Sequence, residues 1–398
     1  MRVSASAALG RARRGRIAGI AVGGLLLMAL GPAAADEPNV TATDSGVSTQ
    51  PATWECVSGH PVEKRSFTLD NGRIRYGFAY SGCVHPSHGE KRPSSEGNFG
   101  MPSPVRANFY AGGFIGVIVN GEDAVTYRVA DMQVLEQGAR GCIQAIFAHP
   151  DAQVGLRLLL LPESNHVLVQ IRWLPREGAA IESVRVKLIC YPSFFTTFHH
   201  RQGERHVATP RTDQQQVSTL QVVPGEDGYL YYYDAVFDVA KGEGDGPCAA
   251  LPAPEGLSGG TVSIGDYAVV THLDYAPQAG EARLALYDFA GLTNAQAAEY
   301  LAQRWQADRD ELRGTDFRPE AARTLDLVAF ESEVREMLAR AADDGEPLRP
   351  RVEELLGKLA QARDAAAAGD WQAEASLSAL LRESDELLWR LRIFALLN

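Results

Sequence analysis

The sequence lacks the short motifs that identify the commonest nucleotide, zinc and redox sites. No G-x-x-x-x-G-K-[ST], no H-E-x-x-H and no C-x-x-C occurs in its 398 residues. A phosphate-binding loop, a helical zinc-protease site and a dithiol redox site are therefore not predicted, and neither is any cofactor. Because a catalytic arrangement is defined by geometry and not by sequence order, the sequence leaves open whether the protein is an enzyme.

Positive charge is also scarce. The chain has 38 Lys and Arg against 50 Asp and Glu, a net charge of −12. The first 35 residues contain five of the Arg and no acidic residue, so the remainder of the chain carries −17. Such a chain repels nucleic acid, since binding to phosphates requires clustered Lys and Arg. We therefore predict no nucleic-acid partner.

Long hydrophobic runs are absent except near the N-terminus. Residues 1–35 combine a basic start, the apolar core IAGIAVGGLLLMAL and a run of Ala before Asp36, which is the pattern of a signal peptide. No later run approaches the length of a membrane span. We expect an exported protein, periplasmic or secreted, with no membrane span after signal removal. Residues 36–53, rich in Thr, Ser and Pro, are expected to form a flexible leader.

Cysteine is sparse and odd in number. The chain has five, at Cys56, Cys83, Cys142, Cys190 and Cys248. An odd count leaves at least one thiol unpaired in an oxidising compartment, and the wide spacing argues against a dense disulfide framework. Cys56 and Cys83 flank a predicted hairpin, so we predict a disulfide between them. Cys190 lies on the apolar side of a predicted strand and is expected to be a buried thiol.

Between residues 54 and 292 the sequence is typical of an antiparallel β protein. Hairpins are indicated at Asn71-Gly72 and at Asn120-Gly121. The stretch VLVQIRWL, residues 167–174, alternates apolar and polar side chains as a half-buried strand does. Similar strands recur at short intervals without helices between them. We predict a mainly β fold, with a large antiparallel β-sandwich over residues 54–292. A supersandwich would also fit this pattern.

The hydrophobic period changes after residue 292. Thr293 and Gln296 have the spacing of a capping box, and Pro319 and Pro350 lie where further helices could begin. An apolar stripe of the last predicted helix consists of Leu377, Leu380, Leu381, Leu387, Leu388 and Leu391. Residues 293–398 are predicted to form an all-α helical hairpin or bundle. If this stripe exceeds what internal packing can bury, the region docks a protein partner or self-associates.

The stretch SFFTTFHHRQGERHVATPRT, residues 193–212, concentrates aromatic, titratable and cationic side chains. Pro192, Gly203 and Pro210 keep it from being regular, and long irregular connections on a sandwich are common places for sites. A base and a cation that neutralises a carboxylate would suit elimination or epimerisation of a uronic acid. The candidate catalytic residues are His199, His200 and His206, with Arg201 and Arg205.

Further cations lie opposite the apolar faces of three successive predicted strands. If these strands are neighbours in one sheet, their cations form a strip that leads toward residues 193–212 and would bind an anionic poly- or oligosaccharide. The candidate ligand-binding residues are Arg157, Arg172, Arg185, Lys187, Arg211, Tyr232 and Asp234.

Metal binding is a further hypothesis, and it rests on histidines. It requires either that His199, His200 and His206 converge, or that Cys83, His85 and His88 do. Adjacent residues of a strand point to opposite faces, and a disulfide at Cys83 would remove its thiolate, so our preferred prediction contains no metal site. Three hypotheses thus remain: a carbohydrate-binding or carbohydrate-active protein, a non-catalytic envelope scaffold that uses its helical region, and an exported metal-binding protein.

Overall fold

A computed structural model of the chain describes residues 39–49, 56, 58–95, 97–103, 113–193, 202–241, 246–265, 268–289 and 291–397. Their strands are β1 (Thr41–Thr49), β2 (Glu63–Asp70), β3 (Arg75–Gly82), β4 (Phe99–Ser103), β5 (Ile115–Val119), β6 (Glu122–Asp123), β7 (Val129–Glu136), β8 (Gly141–Ala148), β9 (Ala152–Leu160), β10 (His166–Pro175), β11 (Val184–Cys190), β12 (Arg205–Ala208), β13 (Asp213–Gln215), β14 (Leu220–Val222), β15 (Leu230–Asp234), β16 (Cys248–Pro252), β17 (Leu257–Ile264), β18 (Val269–Tyr275) and β19 (Glu281–Asp288). Six helices follow: α1 (Asn294–Gly314), α2 (Glu320–Thr324), α3 (Leu327–Arg340), α4 (Ala342–Gly345), α5 (Arg349–Ala367) and α6 (Trp371–Leu397). This order confirms the predicted fold class, antiparallel β followed by a helical region.

The strands form three sheets. The large sheet has nine strands in the order β13-β12-β15-β16-β19-β10-β9-β8-β7. The facing sheet has six, β14-β17-β18-β11-β5-β6, and the small sheet has four, β1-β2-β3-β4. Every strand pair among the described residues is antiparallel.

Alternation along β10 assigns its side chains to two faces of the large sheet. Val169, Ile171 and Trp173 are buried in the hydrophobic core that the large sheet shares with the facing sheet. The intervening residues, Gln170 and Arg172, lie on the opposite face of the strand, as the period of two requires. The sequence pattern therefore predicted correctly which face of this strand lies in the core between the sheets. The strand is not half-buried as predicted, because Leu168 and Gln170 of the opposite face are buried as well.

Both predicted hairpins are present. β2 and β3 flank Asn71-Gly72, and β5 and β6 flank Asn120-Gly121. Gly72 has φ of 78°, while Asn120 and Gly121 have 51° and 88°. These values lie in the left-handed region, which Asn and Gly adopt most readily, so the two dipeptides allow the chain to reverse tightly.

The structure corrects one prediction near the N-terminus. Residues 41–49, assigned to the flexible leader, form β1 and pair with β2 from Thr41–Asp70 to Thr49–Glu63. Val40 and Ala42 are buried in the main core, which anchors the start of the strand. Eight of the nine residues of β1 are exposed, seven of them consecutively from Thr43 to Thr49, so the strand shows no apolar alternation. Beyond Ala42, backbone pairing with β2 and an ion pair between Asp44 and Arg65 hold the strand.

The helical region covers the outer face of the large sheet, the face turned away from the facing sheet. Apolar side chains of that face, including Leu159, Leu168 and Tyr287, pack against Leu301 of α1 and Ala375 of α6. Sheets and helices belong to one compact unit. Among the described residues, no helix is long and apolar enough to cross a membrane.

The helices begin and pack largely as their sequence indicates. Thr293 and Gln296 form the predicted capping box at the start of α1. The leucine stripe of α6 lies in a core shared with α3 and α5, where Leu377, Leu387, Leu388 and Leu391 are buried and Leu380 and Leu381 are partly buried. Internal packing thus accounts for the stripe that suggested a protein partner.

Candidate functional site

A polar cleft of about 320 Å³ lies between the outer face of the large sheet and the helical region. Strands β9, β10 and β19 contribute one side, and the α1–α2 connection, the end of α5 and the start of α6 contribute the other. Its lining consists of Arg157, Gln170, Arg172, Glu281, Arg283, Asp316, Phe317, Arg318, Ala366, Ala367, Gly369, Trp371 and Glu374. Two of the predicted ligand-binding residues, Arg157 and Arg172, are therefore brought together here.

Arg157 lies buried at the bottom of the cleft. Its side chain has 0% exposure and donates a hydrogen bond of 2.7 Å to Glu374. It also donates to Gln144 at 2.7 and 2.9 Å, and its guanidinium lies 4.0 Å from the centre of the Trp371 ring. Burial lowers the pKa of Arg157, and the Glu374 carboxylate opposes that change. Arg157 is thus fully engaged within the protein and shapes the site without facing a ligand.

Arg172 is the cation of the cleft that lacks an acidic partner. Its Nη1 donates a hydrogen bond of 2.7 Å to the carbonyl of Gly369, and its guanidinium lies 5.9 Å from the centre of the Trp371 ring. Gly369 has φ of 86°, and a Cβ there would lie 2.8 Å from Nη2 of Arg172, so glycine permits this approach. Within the described parts of the chain, Arg172 forms no ion pair.

The other arginines of the cleft are neutralised. Arg283 lies 3.1 Å from Glu281, and Arg318 lies 2.6 Å from Asp316. With Arg157 paired to Glu374, three arginines face three carboxylates, and Arg172 leaves an excess of one positive charge. Gln170 donates to Glu281 at 2.7 Å and so orients that carboxylate.

The predicted continuous cationic strip does not form. Arg157 and Arg172 lie on the large sheet, whereas Arg185 and Lys187 lie on β11 of the facing sheet. Arg185 pairs with Asp274 at 2.6 Å and Lys187 with Asp123 at 3.3 Å. The prediction was wrong because β10 and β11 are consecutive in sequence but pair within different sheets.

Residues 193–212 are only partly described. His199, His200 and Arg201 lie outside the described residues, so their assignment stays a prediction. Arg205 has 2% exposure and donates to the carbonyl of Gly265 at 3.0 Å. His206, the next residue of β12, lies 2.9 Å from Asp213 and stacks on Tyr233. Neither lines the cleft, and burial keeps Arg205 from a ligand at the surface.

Three further candidates are engaged by internal contacts. Tyr232 has 0% exposure and shares a hydrogen bond of 2.7 Å with Thr271, between the large sheet and the facing sheet. Asp234, also with 0% exposure, accepts hydrogen bonds from two backbone N–H groups. One lies two residues after Asp234, and the other lies immediately before β12. Arg211 pairs with buried Asp227 at 2.8 Å. The structure therefore does not place Tyr232 and Asp234 where a ligand could contact them, which corrects that part of the prediction.

The predicted disulfide between Cys56 and Cys83 is absent. Both residues are free thiols, and they lie in one cluster with His60 and His88. His85, which the sequence suggested as a ligand, instead stacks on the ring of His60 with centres 3.8 Å apart.

The electrostatics of the cluster differ between its two thiols. Burial acts to raise the pKa of the Cys56 thiol, but backbone N–H groups of His60 and Ser58 lower it below its usual value. Burial raises the pKa of the Cys83 thiol, and the nearby Cys56 adds to this. Burial and the charges of two neighbouring histidines lower the pKa of His60.

One serine stands in the order G-x-S-x-G, at residues 256–260. A serine-hydrolase nucleophile occupies a sharp turn between a strand and a helix. Ser258 lies instead within β17, and its hydroxyl donates to the carbonyl of Asp274 at 3.0 Å. The motif has no nucleophile geometry here.

Several residues of the cleft and of the Cys/His cluster were not predicted from the sequence. Trp371 and Glu374 come from the start of α6, more than 200 residues after Arg157. A weak signal existed in Gly155, because glycine inside an otherwise apolar strand often marks close approach of another group. Cys56 and His60 carry the signal C-x-x-x-H, which the disulfide assignment obscured.

No protein-family model matches the chain, and no curated protein sequence matches it. Among solved structures, it is similar to a GH36 α-galactosidase from Geobacillus stearothermophilus, with 10% identity and a TM-score of 0.33 over 62% of this chain and 41% of that one. It is also similar to an α-mannosidase from Enterococcus faecalis, with 9% identity and a TM-score of 0.35 over 62% of this chain and 30% of that one. The chain spans less than half the length of either protein. Likenesses this weak carry no argument about what this chain does.

Proposed function

We propose that this protein binds a small saccharide with a carboxylate or sulfate group, in the cleft between the large sheet and the helical region. The observation that carries the proposal is Arg172, whose guanidinium faces a polar cleft and has no carboxylate partner among the described residues. A planar guanidinium presents several N–H donors in fixed directions, which suits a carboxylate or sulfate.

The charge balance of the cleft supports an anionic ligand. Three arginine–carboxylate pairs cancel, so Arg172 gives the cleft a net positive charge within a chain whose overall charge is strongly negative. A low-polarity wall, formed by the buried rings of Phe317 and Trp371, reduces screening of that charge.

The size and polarity of the cleft favour a sugar over a larger apolar ligand. Its volume of about 320 Å³ is at the lower end of small-molecule sites, which range from about 300 to 1,000 Å³. Carboxylates of Glu281 and Asp316 and the amide of Gln170 supply hydrogen-bond partners for hydroxyl groups.

The proposal concerns binding and not catalysis. The described lining of the cleft contains no histidine, and the candidate bases His199 and His200 lie outside the described residues. Elimination or epimerisation of a uronic acid therefore stays a prediction from the sequence. Export to the periplasm or the medium, which residues 1–35 suggest, would bring the protein into contact with such glycans.

Calorimetric titration of the protein with uronate oligosaccharides, sulfated oligosaccharides and their uncharged counterparts tests the proposal. We expect the anionic ligands to bind and the uncharged ones to bind more weakly, with affinity falling as salt rises. Arg172→Gln should weaken anionic binding about tenfold to a hundredfold, the value of a hydrogen bond to a charged group.

Arg185→Gln is the matched control, because Arg185 is a cation on the facing sheet paired with Asp274. It should leave binding unchanged. Equal losses in both variants would indicate general charge attraction and would contradict a site at Arg172. If no anionic saccharide binds the wild type, the proposal fails.

A further inference from the structure

Two cysteines and two histidines from separate segments converge at one point beside the small sheet. Cys56 and His60 precede β2, Cys83 follows β3, and His88 ends the turn of Pro86–His88. Their four potential ligand atoms all lie within 4.8 Å of one another. The two sulfur atoms are buried, and the two imidazoles are half-buried.

The separations match those of a tetrahedral zinc site. With Zn–S of about 2.3 Å and Zn–N of about 2.05 Å, tetrahedral geometry sets N···N near about 3.3 Å and S···N near about 3.6 Å. Nδ1 of His60 lies 3.4 Å from Nε2 of His88. Sγ of Cys56 lies 3.6 Å from the first nitrogen and 3.3 Å from the second. One cation can therefore contact these atoms without rearrangement of the backbone.

Backbone groups around the sulfur atoms suit thiolate ligands. The N–H groups of Ser58 and His60 both donate to Sγ of Cys56 at 3.4 Å, and the N–H of His85 donates to Sγ of Cys83 at 3.5 Å. Such donors stabilise negative charge on sulfur and fix the direction of the ligand, as partners beyond the ligands do in metal sites.

We propose that Cys56, His60, Cys83 and His88 bind one Zn²⁺ ion as a closed Cys₂His₂ site. Two thiolates and two imidazoles favour Zn²⁺ over Mg²⁺ or Ca²⁺, which require oxygen ligands. Four protein ligands leave no open position, so the ion has a structural role and activates no water.

The site would fasten a short irregular segment to the small sheet. Around the thiols, the apolar cluster of the described residues contains only Cys56, Val62 and Cys83, too little to hold residues 58–62 by burial. Small cores commonly depend on a metal or a disulfide for this purpose. The ion would link the segment before β2 with the loop after β3.

Metal titration of the full chain tests the site. The protein is stripped with chelator under reducing conditions and titrated with Zn²⁺, and with Co²⁺ as a spectroscopic probe. We expect one ion per chain, the visible bands of tetrahedral Co²⁺ with sulfur-to-cobalt charge transfer, and a higher unfolding temperature with Zn²⁺. Cys56→Ser and His88→Gln should each lose the one-to-one binding. Cys56→Ser should weaken the sulfur-to-cobalt charge transfer, and His88→Gln should weaken the visible bands of tetrahedral Co²⁺.

His85→Gln is the matched control, since the imidazole of His85 stacks on His60 but is not one of the four ligands, and the substitution keeps the backbone N–H that donates to Cys83. It should bind one ion like the wild type. Circular dichroism of each variant establishes that it is folded. If reduced wild-type protein binds no Zn²⁺, if His88→Gln binds as tightly as the wild type, or if the purified protein carries a Cys56–Cys83 disulfide and no metal, the proposal is wrong.

Discussion

Gly155 lies directly under the indole ring of Trp371. A Cβ on Gly155 would stand 2.5 Å from both Cε3 and Cζ3 of that ring, closer than side-chain carbons approach. Trp371 begins α6, and its ring in turn covers the guanidinium of Arg157. The absence of a side chain on one strand therefore determines how the last helix meets the large sheet.

Gly155→Ala should destabilise the protein by about 1–3 kcal/mol, the usual cost of forcing extra atoms into a packed interface. Urea denaturation monitored by Trp fluorescence measures the change. Gly357→Ala is the control, because Gly357 lies within α5 and a Cβ there would meet no other part of the protein within 4 Å. That change should stabilise by up to about 1 kcal/mol through helix propensity. Equal effects from the two variants would contradict the close packing of Trp371 on Gly155.

Glu374→Gln should destabilise the protein by about 3–5 kcal/mol, because it leaves the buried charge of Arg157 without its counter-ion. The double variant Arg157→Met with Glu374→Leu should recover much of that loss, since it removes both buried charges. Equilibrium unfolding of the single and double variants measures both effects. Glu336→Gln, in an exposed pair with Arg340, should cost less than about 1 kcal/mol.

Asp227 should make stability depend on acid. Burial acts to raise the pKa of its carboxyl, but Arg211 and the N–H of Val223 hold that pKa below the ordinary 3.8. A lowered folded-state pKa contributes stability that is complete above the unfolded pKa and is lost as pH falls toward the folded one. Asp227→Asn should therefore destabilise by about 2 kcal/mol at pH 7 and by progressively less below about pH 4.

Urea denaturation of the wild type and of Asp227→Asn, at pH 7 and below about pH 4, measures whether the destabilisation shrinks as pH falls. The control is Glu226→Gln, because Glu226 lies 3.7 Å from the same Arg211 but is largely exposed. Its effect should be small at every pH. A destabilisation by Asp227→Asn that grows as pH falls would overturn the assignment.

Cys142 should resist alkylation in the native protein. Its side chain has 0% exposure, and burial raises the pKa of its thiol to about 12, so very little thiolate forms at pH 8. Iodoacetamide labelling followed by peptide mass spectrometry measures the modification. We expect Cys142 to react only after denaturation. Rapid labelling under native conditions would contradict the burial of Cys142 on the outer face of β8.

Local pattern predicted much of the fold because its rules act between near neighbours. Alternation in β10, the dipeptide Asn71-Gly72 and the capping box of Thr293 each concern residues within a few positions of one another, and each is confirmed. The pairing of β1 with β2 was missed because backbone groups hold it and its side chains carry no apolar signal.

Sites were harder to predict because they join distant segments. Arg172 and Arg185 are close in sequence, yet strand order places them on different sheets, which no local rule reveals. Cys56 and Cys83 were correctly expected to be close, but two thiols near each other fit a disulfide or a metal equally well. Only the positions of His60 and His88 distinguish these alternatives.

The helical region covers the outer face of the large sheet where α1 lies on β15, β16 and β19 and α6 lies on β7, and this affects how the protein unfolds. Leu159 and Tyr287 have 0% exposure only because α1 and α6 cover them. A fragment that ends at residue 292 would present that apolar face, together with the unpaired guanidinium of Arg157, to water. The strands and the helices each have a core of their own, but they share the core around Leu159 and Tyr287. We therefore expect both parts to melt in a single transition.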